Sequence, residues 1–332
     1  MLKFFRVFFA ALLLACVPGF SLASTLGFAW DNDLFVGEDG RYTNGVRFSW
    51  VGNAHEQCAG EQDRGLTCGL ARVINPLPGI RLEGQKHALA VGLEQTMVTP
   101  SDITRSAPDY SDVPYVGYSN IELGMFSWNA QHLLGYGIRI GTTGPDSGAE
   151  QSQKVIHKIT GSEEPKGWDN QLGPDVIGGV IAVFANRLFR HDHANGLQTD
   201  MGYSAMLDAN NFLGTAGISS FVRFGKNLPE NFTPDYAGVG TSSSQVGLFE
   251  QRGLGWEFFL GATAQYIGYF YLEEKTDLYD LESRDGTLGL VVGSGLHLDN
   301  FSFTLTLQGS QSPLRNNDDI LSFGNMSFMW KI

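Results

Sequence analysis

The chain has 332 residues, 42 of them glycine, with a hydrophobic fraction of 42% and a charged fraction of 17%, enough for two ordinary domains or one large barrel. Its formal net charge of −13 excludes the basic surface that nucleic-acid binding requires. Beyond the first residues no apolar run is long enough for a membrane-spanning helix, a test that β-barrels escape because their strands alternate.

Taken in order, residues 1–23 read as a secretory signal peptide. Lys3 and Arg6 precede an apolar run over 7–15, and Ser21, Leu22 and Ala23 offer small residues for cleavage before Ser24. Removing the two cations takes the charge from −13 to −15. The competing reading is a lipoprotein box over 13–16, with Cys16 as a lipidated N-terminus. On the first reading, residues 24–332 form the mature exported unit.

The first two strands are expected at 25–35 and 42–51, joined by an acidic, Gly-rich turn over 36–40. Val46, Phe48 and Trp50 fall on one face of the second strand, and Thr43, Gly45, Arg47 and Ser49 on the other, the period of 2 that a two-faced strand requires. Polar side chains crowd at the joined ends. Cys58 and Cys68 follow, in a compartment where disulfides persist, and are expected to staple the loop that holds them.

Further strands are expected at 85–96, 118–128, 132–143, 176–187, 196–207, 214–226, 255–271, 286–297, 301–311 and 320–332. Alternation is clearest where Phe301, Phe303, Leu305 and Leu307 face one way and Ser302, Thr304, Thr306 and Gln308 the other. The last strand repeats it, with Met326, Phe328, Trp330 and Ile332 against Asn325, Ser327 and Lys331. Twelve such runs, an even number, predict an antiparallel transmembrane β-barrel of the bacterial outer membrane. Tight turns at 129–131 and 298–300 and long polar loops at 97–117 and 144–175 put the N-terminus in the periplasm and the connections after odd strands outside. The segments 52–84 and 227–254 break that rule, being long and periplasmic. Inward positions read as mostly Gly, Ser, Thr and Ala, which favours a filled barrel over a wide pore.

One extracellular loop, 144–175, carries a helix over 148–160. Ser147 and Glu150 have capping-box spacing, Val155, Ile156 and Ile159 form an apolar stripe, and Gly161 supplies a left-handed stop. The stripe needs cover from the barrel wall or from lipid. Of seven histidines, only His157 falls on a long outward loop. His132, His191, His193 and His297 fall at periplasmic turns, His55 in the Cys segment and His87 near a strand start. His191, Asp192 and His193 lack a third metal ligand and read as a solvated turn.

The combination of Asn32 and Asp33, then Arg41, Tyr42, Thr43, Asn44 and Gly45, then Gly144, Pro145, Asp146, Ser147 and Gly148 leading to His157, Lys158, Ile159, Thr160, Gly161, Ser162 and Glu163, resembles the outer-membrane lipid A 3'-O-deacylase family. The similarity runs along nearly the whole mature chain and is most specific in those two segments. It implies a twelve-stranded barrel that removes the 3'-linked acyloxyacyl group of lipid A with Ca²⁺ and a histidine base, in a phospholipase-A2-like way. By the same resemblance Asn32, Asp33, Thr43, His157 and Glu163 form the site, and Arg105, in the loosely matching tract 98–118, is a candidate phosphate contact.

The chemistry is consistent with those residue types. Ester hydrolysis needs an activated water and a stabilised oxyanion. Imidazole can take a proton near neutral pH, and Ca²⁺ prefers carboxylate and carbonyl oxygens and polarises a carbonyl. Asp33 and Glu163 offer anionic oxygens, and Asn32 and Thr43 neutral ones. Glu163 serves either as metal ligand or to orient His157. Taken singly, Asn32, Asp33 and Thr43 also suit a plain hairpin turn. Lys154, Lys158, Lys166 and Arg105 lie on the outer face, where an anionic lipopolysaccharide would need cations. The expected partners are lipopolysaccharide and the outer membrane, with the chain acting as a monomer. Two other readings stand beside this one: a non-enzymatic barrel, and an outer-membrane phospholipase, for which a Gly-x-Ser-x-Gly element is missing.

Overall fold

A computed structural model describes residues 24–32, 41–56, 58–60, 65–233, 253–315 and 320–332, with side chains described at all of these except 41–43. The expected signal peptide, Cys16, Asp33 and most of 227–254 lie outside the described residues.

The strands are β1 (Thr25–Asn32), β2 (Arg41–Val51), β3 (Lys86–Thr99), β4 (Val116–Trp128), β5 (His132–Thr143) and β6 (Val176–Asp192). They continue as β7 (Gln198–Asn210), β8 (Leu213–Lys226), β9 (Gly255–Phe270), β10 (Gly286–Leu298), β11 (Phe301–Gln311) and β12 (Ile320–Lys331). Each pairs antiparallel with its sequence neighbours, and β1 also pairs with β12, so the sheet closes into a barrel without an edge. Among the described residues three α-helices decorate it: α1 (Leu66–Ile74) between β2 and β3, α2 (Ala149–Thr160) between β5 and β6, and α3 (Tyr271–Lys275) after β9. No helix among the described residues is long and apolar enough to cross a membrane.

Alternation sorts the two faces. Phe48 is exposed and pairs with Leu93, which pairs with the exposed Ile121, so these positions look out toward lipid. Their neighbours look into the lumen. The lumen carries more charge than the Gly, Ser, Thr and Ala pattern suggested, but the charges are paired. Arg139 lies 3.2 Å from Glu122 and 3.1 Å from Asp208, and Arg223 lies 2.7 Å from Asp200 and 3.5 Å from Glu257. Apolar clusters lie toward both ends, one built around Val51, Phe126 and Phe232 and the other around Tyr118, Phe212 and Leu272. Buried charges survive here because each finds an opposite charge or a hydrogen bond.

The barrel is stopped partly by its own chain. After β8 the backbone folds back, and Arg190 donates to Pro229 O at 2.7 Å, Arg187 to Glu230 O at 2.8 Å and Arg223 to Asn231 O at 3.1 Å. Phe232 then joins the apolar cluster at that end. Arg223→Ala should strand Asp200 without its closest cation and loosen this plug, a loss of about 3–5 kcal/mol if the pair behaves as other buried pairs do. Planar-bilayer recording should then show conductance that the wild type lacks; an unchanged, silent barrel with unchanged melting would mean the segment is no plug.

Cys58 and Cys68 form the expected disulfide. Not every histidine expected at a turn is solvated. His297 sits within β10, buried, with Nδ1 2.7 Å from Ser302 Oγ and Nε2 3.4 Å from Glu257. His87 is also fully buried, with Nδ1 2.8 Å from Ser127 Oγ.

Candidate active site on the outside of the wall

The polar end of the first hairpin divides between the two faces of the sheet. Gly45, Arg47 and Ser49 share the lumenal side, but the register shifts between Tyr42 and Asn44, making Thr43 the extra residue of a bulge. The shift leaves Asn44 opposite Asn32 and Met97 on the face that lower down carries Phe48 and Leu93. Asn32 and Asn44 are both buried, and Asn44 Oδ1 accepts a hydrogen bond from Trp30 Nε1 at 3.2 Å. Near its outer end the lipid-facing wall thus changes from apolar to polar.

Against that face lies α2. Gly144–Ser147 makes a 3-10 turn with Pro145 near its start, and the Ser147 carbonyl accepts from both Gln95 Nε2 and Ser119 Oγ at 2.7 Å. Gln95 and Ser119 face each other across β3 and β4 on the outward side, so two wall side chains hold the helix entrance. Gly117, the next outward residue on β4, lets the helix come close: a Cβ there would lie 2.3 Å from Ala149 Cβ and from Ser147 Oγ. Met97, Ile103, Tyr115, Ala149 and Trp168 pack together behind it.

The expected capping box does not form. Gly148, in the left-handed region, caps the helix without a side-chain bond, while Ser147 Oγ donates to Gly144 O at 2.6 Å. The same hydroxyl accepts from the Ala149 N–H at 3.3 Å, so it is used within the turn and not by Glu150. Gly161 ends the helix as expected, at φ 78°, with its N–H on His157 O at 2.8 Å.

The helix is turned so that its polar side meets the wall. Ala149, Gln153 and His157, spaced by four, are its buried residues, whereas Val155 and Ile159 are 58% and 79% exposed. The apolar stripe therefore looks away from the protein, as a helix lying against the wall in lipid would place it. His157 is 7% exposed. Its Nδ1 lies 2.5 Å from the main-chain carbonyl of Glu163. A carbonyl only accepts, so in the neutral ring Nδ1 carries the proton and Nε2 the lone pair. Chain reversal after Gly161 thus brings Glu163 back to His157 through its backbone. The Glu163 side chain is exposed, and the contact with His157 is made by its main-chain carbonyl.

Gln153 went unremarked in the sequence reading. It is 1% exposed, and its Oε1 accepts from Trp168 Nε1 at 2.7 Å. Indole only donates, which fixes the amide orientation and leaves Nε2, a buried donor, without a partner among the described residues. Such a donor costs about 1–3 kcal/mol when unmet. The spacing of 149, 153 and 157 on one helical face was the signal that could have found it.

Arg105 pairs with Asp109 at 2.5 Å. Ser111, through its hydroxyl and its backbone N–H, holds the Asp109 carboxyl below the ordinary carboxylate range, with Arg105 adding to the effect. Lys154 likewise pairs with Glu150, at 2.7 Å. Asp33 and the Thr43 side chain lie outside the described residues. Among the described residues no group of three His, Cys, Asp or Glu side chains could hold a metal. The donors grouped at the hairpin end are instead the carboxamides of Asn32 and Asn44, without a thiolate, a set that suits a hard cation bound through oxygen.

Residues 7–332 match the family described as outer membrane protein LpxR. Among solved structures the chain is similar to LpxR from Salmonella typhimurium, with a TM-score of 0.73 and 16% identity over 93% of this chain and all of that one. The beta domain of the Bordetella autotransporter Brka matches at 9% identity and a TM-score of 0.45, over 93% of this chain and 99% of its own. No curated protein matches in sequence. With the family match covering residues 7–332, the whole barrel included, the chain belongs to the LpxR family of bacterial outer membrane proteins.

Proposed function

We propose that this barrel is a Ca²⁺-dependent lipid A 3'-O-deacylase, an ester hydrolase that removes the 3'-linked acyloxyacyl group in the outer leaflet. The single observation that carries the reading is the orientation of His157. It is buried on the wall-facing side of α2 with Nδ1 committed to Glu163 O, so Nε2 is the nitrogen left to act as base. In this reading Nε2 takes the proton from a water whose oxygen bonds to the ester carbonyl carbon. The bond from that carbon to the sugar oxygen then breaks, and the imidazolium returns the proton to the departing alkoxide.

Asp33, with Asn32 and Thr43, would hold Ca²⁺, which supplies polarisation of the scissile carbonyl when bound. Gln153 Nε2, one turn before His157, offers a further donor to a substrate oxygen. Arg105 would reach a lipid phosphate only by sharing its guanidinium with Asp109. The lumen argues against a wide channel, since apolar clusters and paired charges fill it toward both ends.

The reading is tested on purified barrel in lipopolysaccharide vesicles, with released fatty acid measured while calcium is chelated and then restored. Release should stop with chelation and return with Ca²⁺ but not with Mg²⁺, which is smaller and keeps its waters. Release indifferent to chelation would remove the metal from the proposal.

A further inference from the structure

The lipid-facing surface is uneven. On β10 the exposed apolar side chains run from Leu288 through Leu290, Val292 and Leu296 to Leu298. Ten residue steps at about 3.4 Å each, tilted by about 40°, rise about 26 Å, close to the roughly 25 Å apolar band of outer-membrane barrels. On β4 only Ile121 and Leu123 are bare, a rise of about 5 Å on the same reckoning. A bilayer does not thin so steeply around one molecule without penalty, so whatever covers β4 must continue the band.

The outer cover is α2. The inner cover is the segment carrying α1: Cys58, Cys68 and Ala71 pack on Met125 of β4, and Pro78 O accepts a hydrogen bond from Tyr136 of β5 at 2.8 Å. Met125 and Tyr136 face each other across β4 and β5, two residues along from Leu123 and Ile138, which are exposed. This cover therefore lies outside the wall and not across the periplasmic opening.

The opposite side of the segment is apolar too. Leu66 and Val73 lie a full seven residues apart on one helical face, Leu77 follows just past the helix end, and Leu70 packs against the wall-side cluster between them. Leu66 and Val73 are 76% and 73% exposed. Arg72, the cation of the last turn, is turned back onto the Cys58 and Gly60 carbonyls at 3.1 and 2.7 Å. A helix apolar on both sides, with its cation tied to its own loop, is built for contact with hydrocarbon and not for water.

We propose that α1 is a lipid-contact helix lying in the periplasmic leaflet, with Leu66 and Val73, and Leu77 just beyond its end, among phospholipid acyl chains, and with the Cys58–Cys68 disulfide pinning it to the wall. The inner leaflet then meets this flank of the barrel through a helix, as the outer leaflet does through α2. The proposal is independent of whether the site hydrolyses lipid A.

The test uses the full, oxidised barrel in phosphatidylethanolamine and phosphatidylglycerol vesicles, carrying an environment-sensitive fluorophore on Val73→Cys. Leu290→Cys on the bare wall and Asn195→Cys in an exposed turn serve as references. The Val73 label should show the blue-shifted emission and the loss of intensity to brominated lipid seen at Leu290, and resist a water-soluble quencher. Leu66→Cys gives the same reading if the first variant does not fold. A label quenched from water like that at Asn195 would overturn the proposal, and so would one shielded from both quenchers, which would mean a protein partner covers the face.

Discussion

His157→Ala should leave a barrel that inserts and melts like the wild type yet releases acyl chains about 10²–10⁴-fold more slowly, the contribution usual for a positioned base. Folding should survive because the barrel closes through strand pairing in which α2 takes no part. Glu163→Gln separates the two roles open to its neighbour. The bond that orients His157 comes from the Glu163 backbone, so the amide should retain most of the activity, whereas a carboxylate that binds Ca²⁺ should raise the calcium requirement when lost. Acyl release measured against calcium concentration reads both variants. A fully active His157→Ala enzyme would end the proposed mechanism.

Gly117→Val should be nearly as damaging without touching a reacting group. Even its first carbon would fall 2.3 Å from Ala149 Cβ, a separation no packed structure tolerates, so either the helix leaves the wall or the strand bends. Displacements near 1 Å at a catalytic group cost about 100-fold in rate, and the loss should appear in acyl release with little change in barrel stability. Gly124→Ala on the same strand, where the nearest atom to a new Cβ is Tyr136 O at 3.7 Å, is the matched control. Equal activity in the two variants would show that the approach of α2 to the wall is not what positions His157.

The barrel was legible because its information is repeated. Alternation at 301–308 and 325–332 states inside and outside many times over, and a single ambiguous residue cannot move a register that closes on itself. The helix boundaries were legible for a similar reason, Gly161 being a stop with a clear backbone cause. What could not be read rests on one residue or on a tertiary partner. The bulge takes Thr43 out of the ladder with β3, and nothing local in Tyr42, Thr43 and Asn44 announces it, whereas Asn44 keeps the face of Val46 and Phe48 that alternation gives it. The capping-box pattern at Ser147 gave way to Gly148 as the cap, with the Ser147 hydroxyl on Gly144 O and Glu150 held by Lys154, while Gln95 and Ser119, residues far away in sequence, fix the Ser147 carbonyl. The stripe of Val155 and Ile159 invites burial only if the solvent is water; beside an outer membrane the same stripe can face lipid, and the polar face carrying Gln153 and His157 turns inward. The lumenal charges were underestimated because each sits alone in its own strand: Glu122 meets Arg139 and Asp200 meets Arg223 only once the register of β4 with β5 and of β7 with β8 is set, and Arg139 meets Asp208 only when non-adjacent strands curve together.

Mass spectrometry of lipid A from cells with and without this chain, grown with ample calcium, addresses the central claim without intermediaries. The account predicts a species lighter by the 3'-linked acyloxyacyl group, present with the wild type and absent with His157→Ala; an unchanged acylation pattern, with the wild-type barrel shown to be in the outer membrane, would contradict it.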